Sequence, residues 1–126
     1  MTVFSGKLSG IRVLVVEDEA LVAMDLEMIL EDLGCAVVGP VMRLDRAEAL
    51  VKADVEADAA ILDVNVGGLQ VFPLAALLAE RGVPIVFATG YDSSGMPAEW
   101  NGRPTLQKPY TVEDVARRLL QAIAGA

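Results

Sequence analysis

The sequence alternates short apolar runs with longer stretches in which apolar residues recur at helical spacing. Residues 12–16, 35–41, 59–62, 84–88 and 105–107 form five runs with strand character. These runs are mainly apolar, which is typical of strands covered by helices on both faces. Because connections between parallel strands are right-handed, the alternation predicts a doubly wound five-stranded parallel sheet in a three-layer α/β/α fold.

Helices are predicted between these runs at residues 20–33, 44–52 and 73–81, and a last helix follows Thr111 as its cap. Gly34 and Gly82 stand where helix ends favour a positive φ. Residues 65–68 are predicted to be a loop. Residues 93–102 contain Gly95, Pro97 and Gly102, so they make a poor helix.

The chain has 126 residues, of which 54% are hydrophobic, and we expect a single domain over residues 1–126 with its core at about 11–123. It has one cysteine, Cys35, no apolar leader and no apolar run near the roughly 18 residues of a membrane span. We therefore expect a cytoplasmic protein without a membrane partner. The net charge of −8 argues against nucleic acid as a partner. The absence of histidine excludes catalysis by histidine and most zinc sites.

Chemically active side chains follow the predicted strands. Glu17 and Asp18 follow the first, Asp63 the third, Thr89 the fourth and Lys108 the fifth. Ligands in such sheets bind at the carboxyl ends of the strands. Carboxylates this close raise one another's pKa unless a cation intervenes, and with oxygen ligands alone Mg²⁺ fits best.

Each of these residues also has an ordinary explanation. Asp18 alone is more readily explained as the N-cap of the first helix. Asp63 fits an ordinary loop, and a lysine before Pro109 is usually solvated. Their joint occurrence at the ends of the strands favours a shared site.

The residues fall in four motifs: Val15-Val16-Glu17-Asp18, Leu62-Asp63-Val64-Asn65, Ala88-Thr89-Gly90 and Gln107-Lys108-Pro109. In this order and spacing they resemble the signature of receiver domains of two-component response regulators, the CheY-like superfamily. The resemblance implies a flavodoxin-like sheet with strand order 2-1-3-4-5. The run from Phe87 to Tyr91 is similar to an alphaproteobacterial subgroup of single-domain receivers named after its Phe-Ala-Thr-Gly motif.

The resemblance also implies roles for matching positions. Asp63 is the expected phosphoacceptor, and Mg²⁺ is expected on Asp18 directly, on Glu17 through water, on Asp63 and on the backbone carbonyl of Asn65. Thr89 would hydrogen-bond the phosphoryl group and Lys108 would form an ion pair with it. The Lys108–Pro109 bond is expected to be cis.

One position departs from the family pattern. Many receivers carry an aromatic switch residue three positions before the lysine, where this chain has Thr105. Tyr91, two residues after Thr89, is a candidate to replace it and to shield the phosphoryl group from water. It is equally consistent with simple packing over residues 93–102.

The function implied is a phosphorylation-driven switch whose donor is a sensor histidine kinase or a histidine phosphotransfer protein. We expect no turnover of a separate substrate, and an output through contact with a downstream protein. One alternative is a Mg²⁺-dependent phosphatase with an aspartate nucleophile, although Asn65 stands where such enzymes carry an acid. Another is a flavodoxin-like cofactor binder, although Glu17 and Asp18 replace the phosphate-binding loop that it would need.

Overall fold

The computed structural model describes residues 5–90 and 96–125. In chain order its elements are α1 (Ser5–Leu8), β1 (Arg12–Val16), α2 (Ala20–Asp32), β2 (Ala36–Val41), α3 (Leu44–Lys52), β3 (Ala59–Asp63), β4 (Asn65–Val66), β5 (Leu69–Gln70), α4 (Phe72–Glu80), β6 (Ile85–Thr89), a 3₁₀ turn (Ala98–Trp100), β7 (Thr105–Gln107) and α5 (Val112–Ala124). The five predicted strands and four predicted helices are confirmed, with boundaries shifted by one or two residues, whereas α1, β4 and β5 are additional to the prediction.

Five strands form one parallel sheet in the order β2-β1-β3-β6-β7. This is the predicted order 2-1-3-4-5, because β4 and β5 form a separate antiparallel hairpin. The loop predicted for residues 65–68 is therefore wrong in part: Gly67 and Gly68 are the turn of that hairpin. Both have positive φ, 60° and 84°, which suits a two-residue turn.

Helices cover both faces of the sheet. In β1, Val13 and Val15 pack in one core cluster with α2 and α5, whereas Leu14 and Val16 pack in a second with α3 and α4. This division follows from the period of two in a strand. Leu8, at the end of α1, is also fully buried in the first cluster. The three-layer fold is confirmed.

The helix ends carry the expected signals. The Thr111 side chain accepts a hydrogen bond from the backbone N–H of Asp114 at 3.0 Å, so it caps α5 as predicted. Gly34 and Gly82 follow α2 and α4 with φ of 84° and 73°. The poor helix expected before β7 is confirmed for residues 96–102, where the described chain forms only the 3₁₀ turn.

Candidate functional site

The carboxyl ends of four parallel strands bring the predicted site residues to one edge of the sheet. Glu17 and Asp18 follow β1, Asp63 ends β3, Thr89 ends β6 and Lys108 follows β7. The strand register keeps these ends level, since Val16 pairs with Leu62 and Thr89 pairs with Gln107. The convergence predicted from the sequence is present.

Lys108 lies between two carboxylates. Its Nζ is 2.9 Å from Oε1 of Glu17 and donates a hydrogen bond to Oδ2 of Asp63 at 3.1 Å. Burial lowers the pKa of Lys108, but the two carboxylates outweigh that effect and the pKa is raised. The ammonium is therefore a permanent positive charge at the centre of an acidic site.

Glu17 is almost completely buried, with 2% of its surface exposed. Its Oε2 accepts a hydrogen bond from the backbone N–H of Glu19 at 3.0 Å. Oε1 faces the Lys108 ammonium as an ion pair, but among the described residues it has no partner at a hydrogen-bonding angle. Burial raises the pKa of Glu17 to about 7, while Lys108 acts in the opposite direction. A buried carboxylate oxygen without a hydrogen bond can be satisfied by a cation, here by the Lys108 ammonium and, when one is bound, by a metal ion.

Asp18 does not cap α2. The N-cap of that helix is Glu19, which makes no side-chain capping bond. Oδ2 of Asp18 instead accepts a hydrogen bond from the backbone N–H of Gly67 at 2.9 Å. The N-cap role expected for Asp18 when it is considered alone is wrong, because the hairpin after β3 folds back over this side chain.

Asp63 and Asn65 are joined through the backbone. The N–H of Asn65 donates to Oδ1 of Asp63 at 3.3 Å, and Oδ1 of the Asn65 side chain accepts from the N–H of Gly68 at 3.0 Å. Asp63 is 8% exposed, so little of its surface is open to solvent. The arrangement leaves the Asn65 side chain engaged in the hairpin turn.

Three acidic side chains form a cluster that fits a hard divalent cation. One carboxylate oxygen each from Glu17, Asp18 and Asp63 lies within 4.8 Å of the others. The donors are all carboxylate oxygens, and Oε1 of Glu17 makes no hydrogen bond within the described structure, although it faces the Lys108 ammonium. This donor chemistry suits Mg²⁺ or Ca²⁺ better than zinc or copper.

Thr89 and Lys108 are coupled through the main chain. The N–H of Lys108 donates to the carbonyl oxygen of Thr89 at 3.0 Å. The Lys108–Pro109 peptide is cis, as the resemblance implies, and a second cis bond that the sequence analysis did not anticipate joins Gly39 to Pro40.

The remaining predictions concern the approach to the site. Thr105 begins β7, opposite Phe87, at the end of that strand away from Lys108. Tyr91 lies outside the described residues, so its role as a shield or a switch stays a prediction. Trp100 is 7% exposed and packs against Phe72 and Phe87, which makes it an anchor of its segment.

Gly67 contacts the site without having been predicted from the sequence. Its contribution is a backbone N–H, which no side-chain pattern reveals. The available signal was the Gly67-Gly68 pair, because consecutive glycines favour a tight hairpin turn. Its contact with Asp18, 49 residues earlier, is tertiary.

Residues 13–120 match the family model described as the response regulator receiver domain. The chain belongs to this family. Receivers of this kind are signalling switches rather than enzymes that turn over a separate substrate, which favours the switch over the phosphatase alternative.

Similar solved structures agree with the suspected subgroup. The receiver is 44% identical to SdrG from Sphingomonas melonis Fr1, with a TM-score of 0.81, covering 90% of this chain and 97% of that one. The BeF3-activated conformation of SdrG from Pseudomonas melonis Fr1 is 41% identical, with a TM-score of 0.77 and coverage of 98% and 99%. Both matches extend over nearly the whole of each chain.

A curated relative is longer. The receiver is 28% identical over 118 residues to the phyllosphere-induced regulator PhyR of Methylorubrum extorquens, covering 89% of this chain and 43% of that protein. The receiver thus spans less than half the length of this relative. In the described parts of the chain, every helix is too short or too polar to cross a bilayer.

Proposed function

We propose that Asp63 accepts a phosphoryl group from a phosphohistidine of a sensor histidine kinase or a histidine phosphotransfer protein. The observation that carries this proposal is the Asp63 carboxylate at the end of β3, within 3.1 Å of the Lys108 ammonium and beside two further carboxylates. An oxygen of Asp63 forms the new bond to phosphorus. The phosphorus–nitrogen bond breaks, and its electron pair stays on the imidazole of the donor.

The acidic cluster is proposed to hold Mg²⁺ through Asp18, Asp63, the backbone carbonyl of Asn65 and, by way of water, Glu17. The three carboxylate oxygens within 4.8 Å of one another support a cation in this place. When bound, Mg²⁺ would offset the repulsion between these carboxylates and the incoming phosphoryl oxygens.

Lys108 and Thr89 are proposed to bind the transferred group. Lys108 already faces Asp63, so its ammonium can pair with a phosphoryl oxygen after a small rotation. Thr89 ends β6 at the same edge and would donate its hydroxyl. Phosphorylation adds about −1.5 to −2 charge to the pocket, which changes the balance among these groups.

The phosphodonor is proposed to contact the apolar stripe of α2. Leu21, Met24 and Met28 are 81%, 57% and 63% exposed and lie on one side of that helix. Leu21 also lines a cavity with Lys108 and Pro109, so the stripe begins beside the acidic site. A donor whose helix packs on this stripe would bring a histidine to Asp63. Such a donor is expected in the cytoplasm.

The experiment is phosphorylation by acetyl phosphate and Mg²⁺, read by intact mass. Wild-type protein should gain one phosphoryl group, and Asp63→Asn should gain none. Asp114→Asn, which removes a surface aspartate of α5, is the matched control and should be phosphorylated normally. Uptake by Asp63→Asn equal to wild type would refute the assignment.

The docking stripe has its own test. Leu21→Glu should slow transfer from a phosphorylated histidine phosphotransfer protein while leaving uptake from acetyl phosphate unchanged. Leu50→Glu on α3, where the native side chain is 37% exposed, is the control and should slow neither. Equal transfer to both variants would remove the stripe from the proposal.

A further inference from the structure

The hairpin β4–β5 contacts two of the three clustered carboxylates through backbone N–H groups. Gly67 donates to Asp18 at 2.9 Å, and Asn65 donates to Asp63 at 3.3 Å. Val66 anchors the hairpin to the core: it is 2% exposed and packs in the core cluster that contains α3 and α4. A six-residue segment therefore joins the ends of β1 and β3.

Asp18 is the member of the cluster that most needs support. Glu17 and Asp63 are held by burial and by Lys108, whereas Asp18 is more exposed and accepts a hydrogen bond from the N–H of Gly67. A side chain in this position loses rotamer freedom when it binds a metal, unless another bond has already fixed it. Groups that orient metal ligands in this way typically change metal affinity by about 10–100-fold when removed.

We infer that the tip of the hairpin, Gly67 and Gly68, positions Asp18 for the divalent cation. This inference rests on the proposed function of the acidic cluster. The N–H of Gly67 binds Oδ2 of Asp18 and so restricts the rotation of this carboxylate beside the cluster. The N–H dipole also offsets part of the repulsion among the three carboxylates while the cluster holds no cation.

Asn65 sets the direction of that N–H. Its side-chain oxygen accepts a hydrogen bond from the N–H of Gly68 at 3.0 Å and so stabilises the turn of the hairpin. Both tip glycines have positive φ, and a Cβ at either would meet nothing within 4 Å. Alanine at Gly67 would therefore act through backbone strain alone, turning the N–H away from Asp18 without a clash.

The test is a titration of the unphosphorylated protein with Mg²⁺, in which binding is monitored by the NMR signals of the backbone amides. Gly67→Ala should bind Mg²⁺ about 10-fold more weakly than wild type. Gly82→Ala is the matched control, since Gly82 also has positive φ and open space at its Cβ but ends α4 away from the cluster. It should carry the same backbone strain and bind Mg²⁺ as wild type does.

Two variants at Asn65 keep the inference testable if Gly67→Ala does not fold. Asn65→Ala should weaken Mg²⁺ binding, and Asn65→Ser should recover part of the loss, because a serine hydroxyl can replace the turn acceptor more weakly. A purely structural role of the hairpin would lower stability without this partial recovery of affinity.

The outcomes separate the two proposals. If wild type and Asp18→Asn show the same response to Mg²⁺, the acidic cluster is no metal site and both proposals fail. If wild type binds Mg²⁺ and Asp18→Asn does not, the site stands. In that case, unchanged or tighter binding by Gly67→Ala would overturn the positioning role alone.

Discussion

The hairpin β4–β5 and the connection from β6 to β7 leave the same edge of the sheet but are held by different forces. The hairpin lies over the acidic cluster through N–H groups that donate to Asp18 and Asp63. The described part of the connection, residues 96–104, is anchored by Trp100, whose ring centroid lies 5.6 Å from that of Phe87 and 6.5 Å from that of Phe72. One contact depends on charge and the other on apolar packing.

This difference shows where a change of charge in the site can act directly. A bound cation or phosphoryl group changes the charge at the carboxylates that accept hydrogen bonds from the hairpin. It therefore acts directly on the contacts that hold the hairpin. In the described part of the connection, the rings of Phe72, Phe87 and Trp100 pack without a charged acceptor, and the bond between Lys108 and Thr89 joins β6 to β7 at the site. Variants in the two regions should therefore differ in their response to Mg²⁺ and to pH.

The largest expected effect is that of Trp100→Ala. Removing this buried side chain should lower the free energy of unfolding by about 3–5 kcal/mol, because it leaves a cavity beside Phe72 and Phe87. Urea unfolding followed by circular dichroism measures the loss, which Mg²⁺ should not reduce. Leu69→Ala in the hairpin is the control, since that side chain is 60% exposed and its loss should cost no more than about 0.5 kcal/mol. Similar losses in the two variants would contradict the comparison.

Lys108→Met should have a smaller effect that does depend on the cation. It leaves Glu17 and Asp63 without their ammonium and should cost about 2 kcal/mol without Mg²⁺, less than a fully buried pair because Glu17 can take up a proton. Saturating Mg²⁺ should restore most of the loss in the same urea measurement. Arg117→Met, which breaks an exposed pair with Asp114, should change stability little at any Mg²⁺ concentration. A loss that Mg²⁺ leaves untouched would speak against a cation at the cluster.

The third expected effect in order of size is a dependence of stability on pH, and we expect it to come from Glu17. The pKa of Glu17 is about 7 in the folded protein against an ordinary value of 4.5. Between these values the folded protein holds a proton that the unfolded chain has released. The contribution of Glu17 to stability is therefore present below about pH 4.5 and is lost as the pH rises to about 7, with a slope of at most about 1.4 kcal/mol per pH unit.

Urea titrations across this pH range, without Mg²⁺, should give a flatter profile for Glu17→Gln than for wild type. Asp45→Asn is the control: the ion pair with Arg43 lowers the pKa of Asp45, so any contribution it makes is lost only at more acid pH. Saturating Mg²⁺ should flatten the wild-type profile as well. An unchanged profile in Glu17→Gln would show that another group titrates.

The smallest expected effect is that of Arg103→Ala. The guanidinium lies 5.4 Å from the ring centroid of Trp100, and this contact should contribute about 0.5–1 kcal/mol. A double-mutant cycle with Trp100→Ala measures the coupling, and Mg²⁺ should not alter it. A coupling that changes with Mg²⁺ would mean that the aromatic anchor senses the site directly.

The alternation of apolar runs and helical stripes was sufficient to predict the layers, the five strands of the parallel sheet and the side chains at their ends, because backbone direction and periodicity are local properties. Glu17, Asp63 and Lys108 could be chosen as site residues since the carboxyl ends of parallel strands share one edge. The cis bond at Pro109 and the strand order came from the family resemblance.

Only the tertiary structure decided what the neighbours do to those side chains. The burial that raises the pKa of Glu17, the bond between Asp18 and Gly67, and the packing of Trp100 on Phe72 and Phe87 each join residues distant in sequence or depend on enclosure by several elements. In isolation Asp18 is an ordinary helix cap, and Gly67 is an ordinary turn residue. Their roles arise because folding brings a backbone N–H to a carboxylate that local pattern assigns to another task.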